Sequence, residues 1–299
     1  MKVAILDPMW DQMPVLLGKN GVEVIDQAEG ANIIIVRSGI LLDSSKIERL
    51  YKMGLGVIIR AGSGLDNIDV QACNKLGVKV IAFPGANKSS VAEVTLAFML
   101  LVTHRLGKGA YDMRDNKANK NELWGDNITR QSVAIIGFGQ TGQETVSLLK
   151  KLNVKKIKVY KRNGESRIEN GINFTSLEDC LSSDIISLHI PFNEENKDFL
   201  NKGNVGKIKK GANIINVSRR GVIDHSLIKE MLENNTISSY VSDVLDSELD
   251  RELIQMNNVY ATPHLGGHSS SVHEQLAKKI IEWIVEYCKK EYNVGKIKK

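Results

Sequence analysis

The sequence has few cysteines and no long apolar run. Its 299 residues include three cysteines, Cys73, Cys180 and Cys288, which are far apart and form neither a CxxC pair nor a Cys/His cluster. This pattern argues against a disulfide framework and a structural zinc site, and it favours a reducing compartment. No stretch approaches the roughly 18 consecutive apolar residues that a membrane span needs. The sequence therefore predicts a cytoplasmic protein with no membrane span and no metal site.

Charge and aromatic content are also modest. The formal net charge is +5, the lysines are scattered, and aromatic residues make up 5% of the chain. Because nucleic-acid surfaces combine basic patches with interleaved aromatic side chains, no nucleic-acid partner is predicted. The opening "MKVAILDPMW" has an apolar run that stops at Asp7, and it lacks a small-residue cleavage site. It is interpreted as a first β-strand and not as a signal peptide.

Segments typical of strands and of helices alternate along the chain. A first series of strand-like segments consists of "VAILD", "VEVI", "NIIIVRS", "GVIIRAG" and "VKVIAF". A second series consists of "SVAIIGFG", "KIKVYKR", "IISLHIP", "ANIINVS", "SSYVSDVL" and "VYATPH". Such alternation is typical of parallel sheets joined by crossover helices. The predicted fold class is α/β, with two doubly wound parallel-sheet domains.

The boundary between the two series falls near "SSVAEVTLAFMLLVTHR". Ser90 and Glu93 have the spacing of a capping box, and the apolar run that follows predicts a long, largely buried helix. We expect this helix, from Val91 on, to lie at the interface of a homodimer.

A final amphipathic helix is predicted around residues 269–290. One of its faces carries Leu276, Ile280, Ile284 and Tyr287. Because the helix need not belong to the preceding domain, it can cross back to the first one. We therefore predict a discontinuous substrate domain, 1–90 plus 269–299, and a dinucleotide-binding domain, 91–268.

The stretch "VAIIGFGQTG" carries three glycines, Gly137, Gly139 and Gly142, between a strand and a helix. The first glycine permits a tight turn, the second lets backbone N–H groups approach a pyrophosphate, and the third allows helix and strand to pack closely. The helix N-terminus adds partial positive charge. We predict a Rossmann domain in which these glycines, with Gln140 and Thr141 between them, bind a dinucleotide.

The strand after this loop ends in cations. About twenty residues past the glycine loop, NAD-binding domains carry an acidic residue that accepts hydrogen bonds from the ribose hydroxyls. Here the segment is "VYKRN", with Lys161 and Arg162. A carboxylate would repel the 2′-phosphate of NADP, whereas two cations can pair with it. The pair predicts a preference for NADP(H) over NAD(H), and the alternative is a solvated pair in a protein that binds NAD.

Three polar residues follow later strands of the second series. They are Arg219 in "NVSRRGVID", Glu248 in "DVLDSEL" and His264 in "TPHLGG". Ligands of open α/β sheets gather at the carboxyl ends of the strands, so these residues are candidates for one site. Transfer of a hydride to a ketone needs a proton donor, a cation for the substrate's carboxylate and carbonyl, and an anchor for the donor. His, Arg and Glu suit these three roles.

With these residues in place, the chain resembles the D-2-hydroxyacid dehydrogenase family over nearly its whole length. The motifs that carry the resemblance occur in the family's order: "RAGSGLDNID", "SSVAE", "GFGQTG", "SLHIPFNEEN", "INVSRRGVID", the Asp243/Glu248 segment and "TPHLGG". The resemblance implies that Arg219 orients a 2-oxo acid, that His264 is the acid/base, and that Glu248 holds and charges His264.

The resemblance also implies binding residues. The backbone amides around Gly62 and Ser63 would take the substrate carboxylate, and Asp243 would face the nicotinamide amide. Pro191 and Val217, in two of the matching motifs, complete the predicted cofactor-binding set. His189 is expected to be a packed, hydrogen-bonded residue near the cofactor and not a second acid.

Three departures from the family's pattern are visible. Lys161 replaces the usual Asp, and Arg220 stands where a small residue is usual and could bring a second cation near the cleft. The stretch between Glu248 and His264 is short, which predicts a trimmed loop beside the pocket. The chain length leaves no room for the C-terminal regulatory domain that many phosphoglycerate dehydrogenases carry.

The substrate is left open between two candidates. Arg60, in "IIRAGSGLDNID", is similar to a cation that can meet the substrate phosphate in the phosphoglycerate dehydrogenase branch, which slightly favours 3-phosphoglycerate. The alternative is glyoxylate or hydroxypyruvate, with Arg60 serving the carboxylate or a structural pair. A preference for NADP(H) would favour such a reductase, because cells keep this cofactor reduced. The predicted partner in either case is a small 2-oxo or 2-hydroxy acid.

A different class of function also belongs to this family. Some members are dinucleotide-sensing corepressors that act through protein partners. The complete Arg, Glu and His set favours an enzyme here. Formate oxidation is disfavoured because the histidine's partner in that branch is usually Gln.

Overall fold

The computed structural model describes residues 1–297, and side chains up to residue 291. The chain divides into two compact units. Unit 1 consists of Met1–Asn87 together with the segment that begins at His268, and unit 2 is Lys88–Gly267. These divisions lie a few residues from the predicted ones. The last two residues of the predicted 269–299 segment lie outside the described residues.

The strands and helices alternate as the sequence predicts. The strands are β1 Lys2–Ile5, β2 Glu23–Ile25, β3 Ile33–Val36, β4 Val57–Arg60, β5 Lys79–Ala82, β6 Ser132–Ile136, β7 Lys156–Tyr160, β8 Arg167–Glu169, β9 Ile172–Phe174, β10 Ile185–Leu188, β11 Ala212–Asn216, β12 Ile237–Ser242 and β13 Val259–Ala261. The α-helices are α1 Met13–Lys19, α2 Ser44–Lys52, α3 Val70–Leu76, α4 Lys88–Thr103, α5 Leu106–Arg114, α6 Gln140–Lys151, α7 Leu177–Leu181, α8 His225–Glu233, α9 Arg251–Ile254 and α10 Ser270–Ile297.

Unit 1 is built on a parallel sheet of five strands in the order β2-β1-β3-β4-β5. Every residue of β3 and β4 is buried, as expected for strands that helices cover on both faces. On one face the apolar side of α10 packs with α1, and Leu276, Ile280 and Ile284 share a core with Val3 and Leu17. The last helix therefore completes the core that the N-terminal strands begin.

Unit 2 has a sheet of eight strands in the order β13-β12-β11-β10-β6-β7-β9-β8. All neighbouring strands are parallel except the edge pair β8 and β9. The prediction of an α/β fold with parallel sheets is confirmed. The β8–β9 hairpin was not predicted, because β8 is short and wholly exposed. Its turn did carry a signal: Asn170 and Gly171 both have positive φ, as Asn-Gly hairpin turns require.

The helix α4 begins earlier than the capping-box spacing predicts. It starts at Lys88, so Ser90 lies buried inside the first turn and is not the N-cap. The helix packs on the core of unit 2 through Phe98, Met99 and Val102. The prediction of a long, apolar helix here is right, and the predicted start is wrong because the turn before it already closes at Asn87.

In the part of the chain that the structure describes, no single helix is long and apolar enough to cross a membrane. By length and composition, α4 and α5 would pass this test only as a pair. They are bent by 67° at the break between them.

Candidate active site

The order of strands in unit 2 reverses between β6 and β10. β7, the next strand along the chain, pairs with β6 on one side, and β10 pairs with β6 on the other. Ligands of open α/β sheets bind at such a switch point, outside the carboxyl ends of the strands. Gly137 follows β6 and His189 follows β10, and the His189 N–H donates to the Ile136 carbonyl at 2.8 Å. These ends place the glycine loop at the switch point.

The glycine loop is tight where the first and third glycines lie and open at the second. Gly137 has φ of +98°, and a Cβ there would lie 2.6 Å from the His189 carbonyl oxygen. A Cβ on Gly142 would collide with the Gly137 carbonyl oxygen, whereas a Cβ on Gly139 would meet nothing within 4 Å. The backbone at Gly139 therefore faces open space, where a phosphate group can approach.

Helix α6 starts at this opening. Gly139 is its N-cap, Gln140 is exposed, and Thr141 and Gly142 complete the first turn. Backbone N–H groups in a first helical turn have no acceptor within the helix, and the helix dipole adds partial positive charge. The loop and the helix start thus fit a pyrophosphate, which is the group that the sequence predicts here.

The two predicted 2′-phosphate cations have different surroundings. Lys161 comes directly after β7 and is exposed. Its ammonium group has neither a hydrogen bond nor an ion pair with any residue that the structure describes. The Arg162 guanidinium instead pairs with the Glu195 carboxylate and hydrogen-bonds the Asn196 side chain. The predicted pair of free cations is therefore one free cation and one that is already engaged.

Pro191 and Val217 extend along the same edge of the sheet. Pro191 follows β10 and is exposed, and its carbonyl accepts a hydrogen bond from Asn196 at 2.8 Å. Val217 follows β11, is half-buried, and packs on the core of unit 2. Both lie past the carboxyl ends of their strands, β10 beside β6 and β11 beside β10, as expected for residues near a bound dinucleotide.

His264 lies in a loop that Asp243 holds. The Asp243 carboxylate accepts hydrogen bonds from the Thr262 hydroxyl at 2.6 Å and from the Leu265 and Gly266 N–H groups at 2.7 Å each. His264 is exposed and has φ of +58°, which is rare for a residue with a side chain. The hydrogen bonds on both sides of His264 fix the backbone in this conformation.

This arrangement gives Asp243 a structural role. The residue is only 3% exposed, and its carboxylate accepts three hydrogen bonds from the His264 loop. That Asp243 faces the nicotinamide amide stays a prediction. The structure shows in addition that Asp243 shapes the His264 loop.

Glu248 lies in the segment after β12. It is exposed, and its carboxylate forms neither a hydrogen bond nor an ion pair with any described residue. Its backbone N–H donates to the Asp246 carboxylate at 2.9 Å, which turns the segment outwards. The predicted pairing of Glu248 with His264 is therefore not formed in this structure.

Arg219 and Arg220 follow β11. Arg219 is half-buried, and its Nη1 donates to the Ser218 carbonyl at 2.8 Å, while its own carbonyl accepts from Asn216 at 2.9 Å. Arg220 donates Nε and Nη2 to the two Asp250 oxygens at 2.8 and 2.7 Å. The expectation that Arg220 brings a second cation to the cleft is therefore wrong, because a buried carboxylate binds both arms of its fork.

The predicted substrate-binding residues of unit 1 are only partly available. Arg60 is 8% exposed, and its Nη1 donates to the Ala61 carbonyl at 2.8 Å. A Cβ on Gly62 would collide with this guanidinium, and the Gly62 N–H already donates to the Arg60 carbonyl at 2.8 Å. The Gly62 N–H is therefore engaged within the chain, and the binding of a carboxylate by the backbone amides around Gly62 and Ser63 stays a prediction. Ser63 is exposed, and its hydroxyl accepts from the Gly85 N–H at 3.2 Å.

Sequence reasoning missed a cluster of one arginine and two histidines in unit 1. Arg37 follows β3, and its Nη1 lies 3.3 Å from Nδ1 of His268, whose ring packs edge-on against His273 at 4.9 Å. Burial lowers the pKa of His273, and the nearby Arg37 and His268 lower it further. Arg37 follows the strand "IIIV" as Arg219 follows "IIN", so its position was a usable signal. Because β3 and β4 are neighbours, Arg37 lies at the same sheet edge as Ser63.

His189 has the packed role that the sequence predicts. Its Nε2 lies 2.9 Å from the Ser187 hydroxyl, and Nδ1 is buried without a partner among the described residues. Burial lowers the pKa of His189 to about 4. A histidine that stays neutral at physiological pH is a poor second proton donor.

The described residues contain no group of three or more His, Cys, Asp or Glu side chains that could hold a metal ion. The candidate residues of unit 2 lie in the loops that follow the carboxyl ends of its strands. The glycine loop, Arg219 and the Asp243-held His264 loop all lie at that edge of unit 2. Such a set can bind a dinucleotide and transfer a proton to a substrate beside it.

Comparison with known proteins agrees with this geometry. The family model described as "D-isomer specific 2-hydroxyacid dehydrogenase, NAD binding domain" matches residues 96–266. A hydroxypyruvate reductase of Thermotoga maritima is 30% identical over 262 residues, which cover 85% of this chain and 78% of that protein. A D-3-phosphoglycerate dehydrogenase of Bacillus subtilis is 29% identical over 260 residues, which cover 86% of this chain but only 45% of that protein.

The fold is also that of solved members. The apo-structure of D-lactate dehydrogenase from Escherichia coli superposes with a TM-score of 0.84 and 24% identity, and covers 97% of each chain. The predicted family and enzyme class, a nicotinamide-dependent oxidoreductase of 2-hydroxy acids, are confirmed. From its matched region, its relatives and its fold, this chain belongs to the D-isomer specific 2-hydroxyacid dehydrogenase family.

Proposed function

We propose that the protein reduces a small 2-oxo acid, with His264 as the proton donor and Arg219 as the cation that orients the substrate. The observation that carries the assignment is the Asp243-held loop, which keeps His264 exposed at φ +58°. A strained backbone of this kind persists only where its surroundings fix it, and it is frequent at active sites. An exposed imidazole on a rigid loop suits an acid/base group.

The residues of unit 2 would hold the nicotinamide cofactor, and His264 would act on the substrate. The N–H groups of Gln140 and Thr141 would bind the pyrophosphate beside Gly139, and Val217 and Pro191 would flank the dinucleotide. When bound, the nicotinamide ring gives or accepts the hydride. His264 donates a proton to the carbonyl oxygen of the 2-oxo acid, or takes it from the hydroxyl in the opposite direction. Arg219 binds the substrate in a bidentate manner, which a guanidinium does and an ammonium cannot.

The test of these roles is a pair of substitutions at Arg219. Arg219→Lys and Arg219→Ala should both lower kcat/KM strongly and to a similar extent, because the lysine cannot form two parallel hydrogen bonds. The assay is oxidation of NADPH and NADH with a panel of 2-oxo acids. Lys229→Met, on the exposed surface of α8, is a matched control for loss of a cation. An Arg219→Lys variant that keeps most of the activity would overturn the proposed role.

We propose that the cofactor is NADP(H), and that Lys161 supplies the preference. Support comes from its position directly after β7, its exposure, and the absence of a partner for its ammonium group among the described residues. Arg162 is proposed to border the site, held by Glu195 and Asn196. One charge-assisted contact contributes roughly 1.5–3 kcal/mol, so a preference of about tenfold or more is expected.

Lys161→Asp should invert this preference, since its carboxylate would bond ribose hydroxyls and repel a 2′-phosphate. The measurement is the KM of the protein for NADPH and for NADH, at low and at high salt. The discrimination should weaken with salt because Lys161 is exposed. Lys156→Asp, at the opposite end of β7, is the matched control and should leave the ratio unchanged. Equal use of both cofactors by the unaltered protein would favour the alternative in which the two cations are solvated and NAD is bound.

For the substrate, hydroxypyruvate or glyoxylate is proposed first. The cation predicted to meet a substrate phosphate, Arg60, is buried and donates to its own neighbour's carbonyl. A relative named hydroxypyruvate reductase is spanned over 78% of its length by this chain, whereas the B. subtilis phosphoglycerate dehydrogenase is spanned over 45%. NADPH as reductant also fits a reductase.

The second candidate, 3-phosphoglycerate, is favoured by the Arg37 cluster. Arg37, His268 and His273 form a group at the sheet edge of unit 1 that can take a second anionic group. The two candidates are separated by comparing kcat/KM for hydroxypyruvate, glyoxylate and 3-phosphohydroxypyruvate in the protein and in Arg37→Gln. A loss confined to the phosphorylated substrate would support the second candidate. Binding of a dinucleotide without turnover of any acid would instead support the corepressor-like alternative.

We propose a homodimer in the cytoplasm. The helix α4 is largely apolar, only some of its side chains are buried, and the segment after it exposes Leu106, Met113 and Trp124, which are 59%, 68% and 81% exposed. A second copy of the chain would cover such a surface. Light scattering tests the state, and Met113→Lys with Trp124→Ser should shift a dimer towards the monomer. A monomeric unaltered protein would overturn the proposal.

A further inference from the structure

Asp250 is a buried carboxylate that accepts hydrogen bonds from several groups of the protein. Its side chain is 2% exposed, and it accepts Nε and Nη2 of Arg220 at 2.8 and 2.7 Å. It also accepts Nδ1 of His225 at 3.0 Å and the Asp246 N–H at 2.8 Å. Burying a charge costs free energy unless the charge is paired and hydrogen-bonded, and these four contacts offset that cost for Asp250.

Asp250 remains charged in these surroundings. Burial alone would raise its pKa, but the hydrogen bonds from Arg220 and from the Asp246 N–H hold the pKa below the usual value. Burial lowers the pKa of the neighbouring His225, against the pull of Asp250. The cation that balances Asp250 is therefore Arg220.

The pair joins two segments of the site. Arg220 directly follows Arg219, and Asp246 belongs to the segment that carries Glu248. The Asp246 carboxylate accepts the N–H groups of Glu248 and Leu249 at 2.9 and 2.8 Å. Asp250 thus ties the backbone after β11 to the turn after β12.

A second chain of hydrogen bonds returns to Arg219. Nε2 of His225 lies 3.3 Å from the Tyr240 hydroxyl, which lies 3.5 Å from the Asn216 side chain. The same Asn216 nitrogen donates to the Arg219 carbonyl at 2.9 Å, and its oxygen accepts from the Ser218 N–H at 3.0 Å. The backbone of Arg219 is therefore held from both sides.

We propose that Arg220 and Asp250 are positioning residues for hydride transfer, which fix Arg219 and the Glu248 turn relative to each other. The inference rests on the proposed role of Arg219 and on the role of Glu248 that the family resemblance implies. Neither Arg220 nor Asp250 needs to touch the substrate for this role, because Asp250 binds both arms of the Arg220 fork. Displacing a substrate-orienting group by about 1 Å can lower the rate about 100-fold. Loss of the Arg220–Asp250 pair is therefore expected to lower kcat strongly.

The test compares Arg220→Gln and Arg220→Lys with the unaltered protein. The Arg220 side chain is 41% exposed, so its truncation opens to solvent and leaves no closed cavity. Arg220→Gln should lower kcat by about 10- to 100-fold. The dissociation constant of the dinucleotide, measured by fluorescence titration, should change less than about twofold. Arg220→Lys keeps the positive charge but cannot donate to both Asp250 oxygens as the arginine fork does, so its kcat should lie between those of Arg220→Gln and the unaltered protein.

Two comparisons make the result decisive. Lys229→Met removes a cation from the exposed Lys229–Glu252 pair, which joins the nearby helices α8 and α9, and it should leave kcat unchanged. If Arg219→Lys lowers activity but Arg220→Gln does not, the positioning role is wrong. If Arg219→Lys itself has no effect, the proposed function fails and not only this inference.

A second variant keeps the test valid if the Arg220 variants do not fold. Tyr240→Phe removes one hydroxyl from the returning chain and keeps the ring in the core. It should lower kcat by about three- to tenfold at an unchanged Tm, because only the hold on Arg219 is loosened. An unchanged kcat in a folded Tyr240→Phe variant, together with unfolded Arg220 variants, would assign the network to stability and overturn the proposal.

Discussion

Asp243 and Glu248 both follow β12, and the structure surrounds their carboxylates in opposite ways. Asp243 is 3% exposed and accepts three hydrogen bonds from the His264 loop. Glu248 is exposed, and only its backbone is held, by Asp246. Hydrogen bonds from Asp243 therefore fix the position of the acid/base residue His264. The carboxylate predicted to stabilise the charged imidazole, that of Glu248, lies on a segment that is held by hydrogen bonds at its two ends, at Asp246 and Asp250.

The largest expected effect is at the centre of the rigid loop. His264→Ala should lower kcat by about two to four orders of magnitude, because a positioned acid/base contributes that much. Dinucleotide binding should persist, as measured by fluorescence titration. His104→Ala, another exposed histidine of unit 2, is the control. Most of the activity remaining on every 2-oxo acid would remove His264 from the mechanism.

The second-largest effect on kcat is expected from loss of the Asp243 hydrogen bonds that fix the His264 loop. Asp243→Asn keeps the size of the side chain but turns one acceptor into a donor that faces the N–H of Gly266 or Leu265. A buried hydrogen bond to a charged group contributes roughly 1.5–3 kcal/mol, so kcat should fall by about 10- to 100-fold. Hydrogen exchange of the Leu265 and Gly266 amides should become faster than in the unaltered protein. Unchanged exchange would show that the loop holds its shape without Asp243.

A smaller effect is expected at the exposed carboxylate. Glu248→Gln should lower kcat by up to about tenfold and change the pH profile of kcat/KM, while the KM for the dinucleotide stays the same. Glu252→Gln, an exposed residue of α9, is the matched control and should leave the profile unchanged. If Glu248→Gln behaves like its control, then Glu248 does not pair with His264 during the reaction.

The smallest effect concerns stability and the network below Glu248. Burial lowers the pKa of His225 from 6.5, so the unfolded chain binds a proton at pH values where the folded chain does not. The contribution of His225 to stability is therefore present above pH 6.5 and declines as the pH falls below it. His225→Gln should flatten this decline in urea unfolding measured from pH 7 to pH 5. A slope equal to that of the unaltered protein would mean that other groups cause it.

The sequence predicted the strands, the helices and the glycine loop, which depend on local pattern. It did not predict the hydrogen-bond partners of charged side chains, which depend on residues that are distant in the chain. Strand and helix alternation and the Gly137 and Gly142 positions follow from periodicity and from the space that a Cβ would need. Whether a cation or carboxylate is free does not follow from either. Arg220 was expected near the cleft and Asp243 at the nicotinamide amide, because nothing local indicates their partners: Asp250 and the loop at Gly266 are thirty and twenty-three residues away in the chain. Only folding brings these partners together.

The return of α10 to unit 1 has a consequence for synthesis. The core beside β1 contains Leu276, Ile280 and Ile284, which leave the ribosome roughly 200 residues after Asn87. At the usual elongation rates of about 5–20 residues per second, the N-terminal sheet waits about 10–40 s for its covering helix. Lys88–Gly267 emerges in one piece meanwhile and holds its complete core. Domains usually mature in order from the N-terminus, and here the middle of the chain finishes first. The uncovered face of the early sheet is thus the surface that a nascent-chain chaperone would meet.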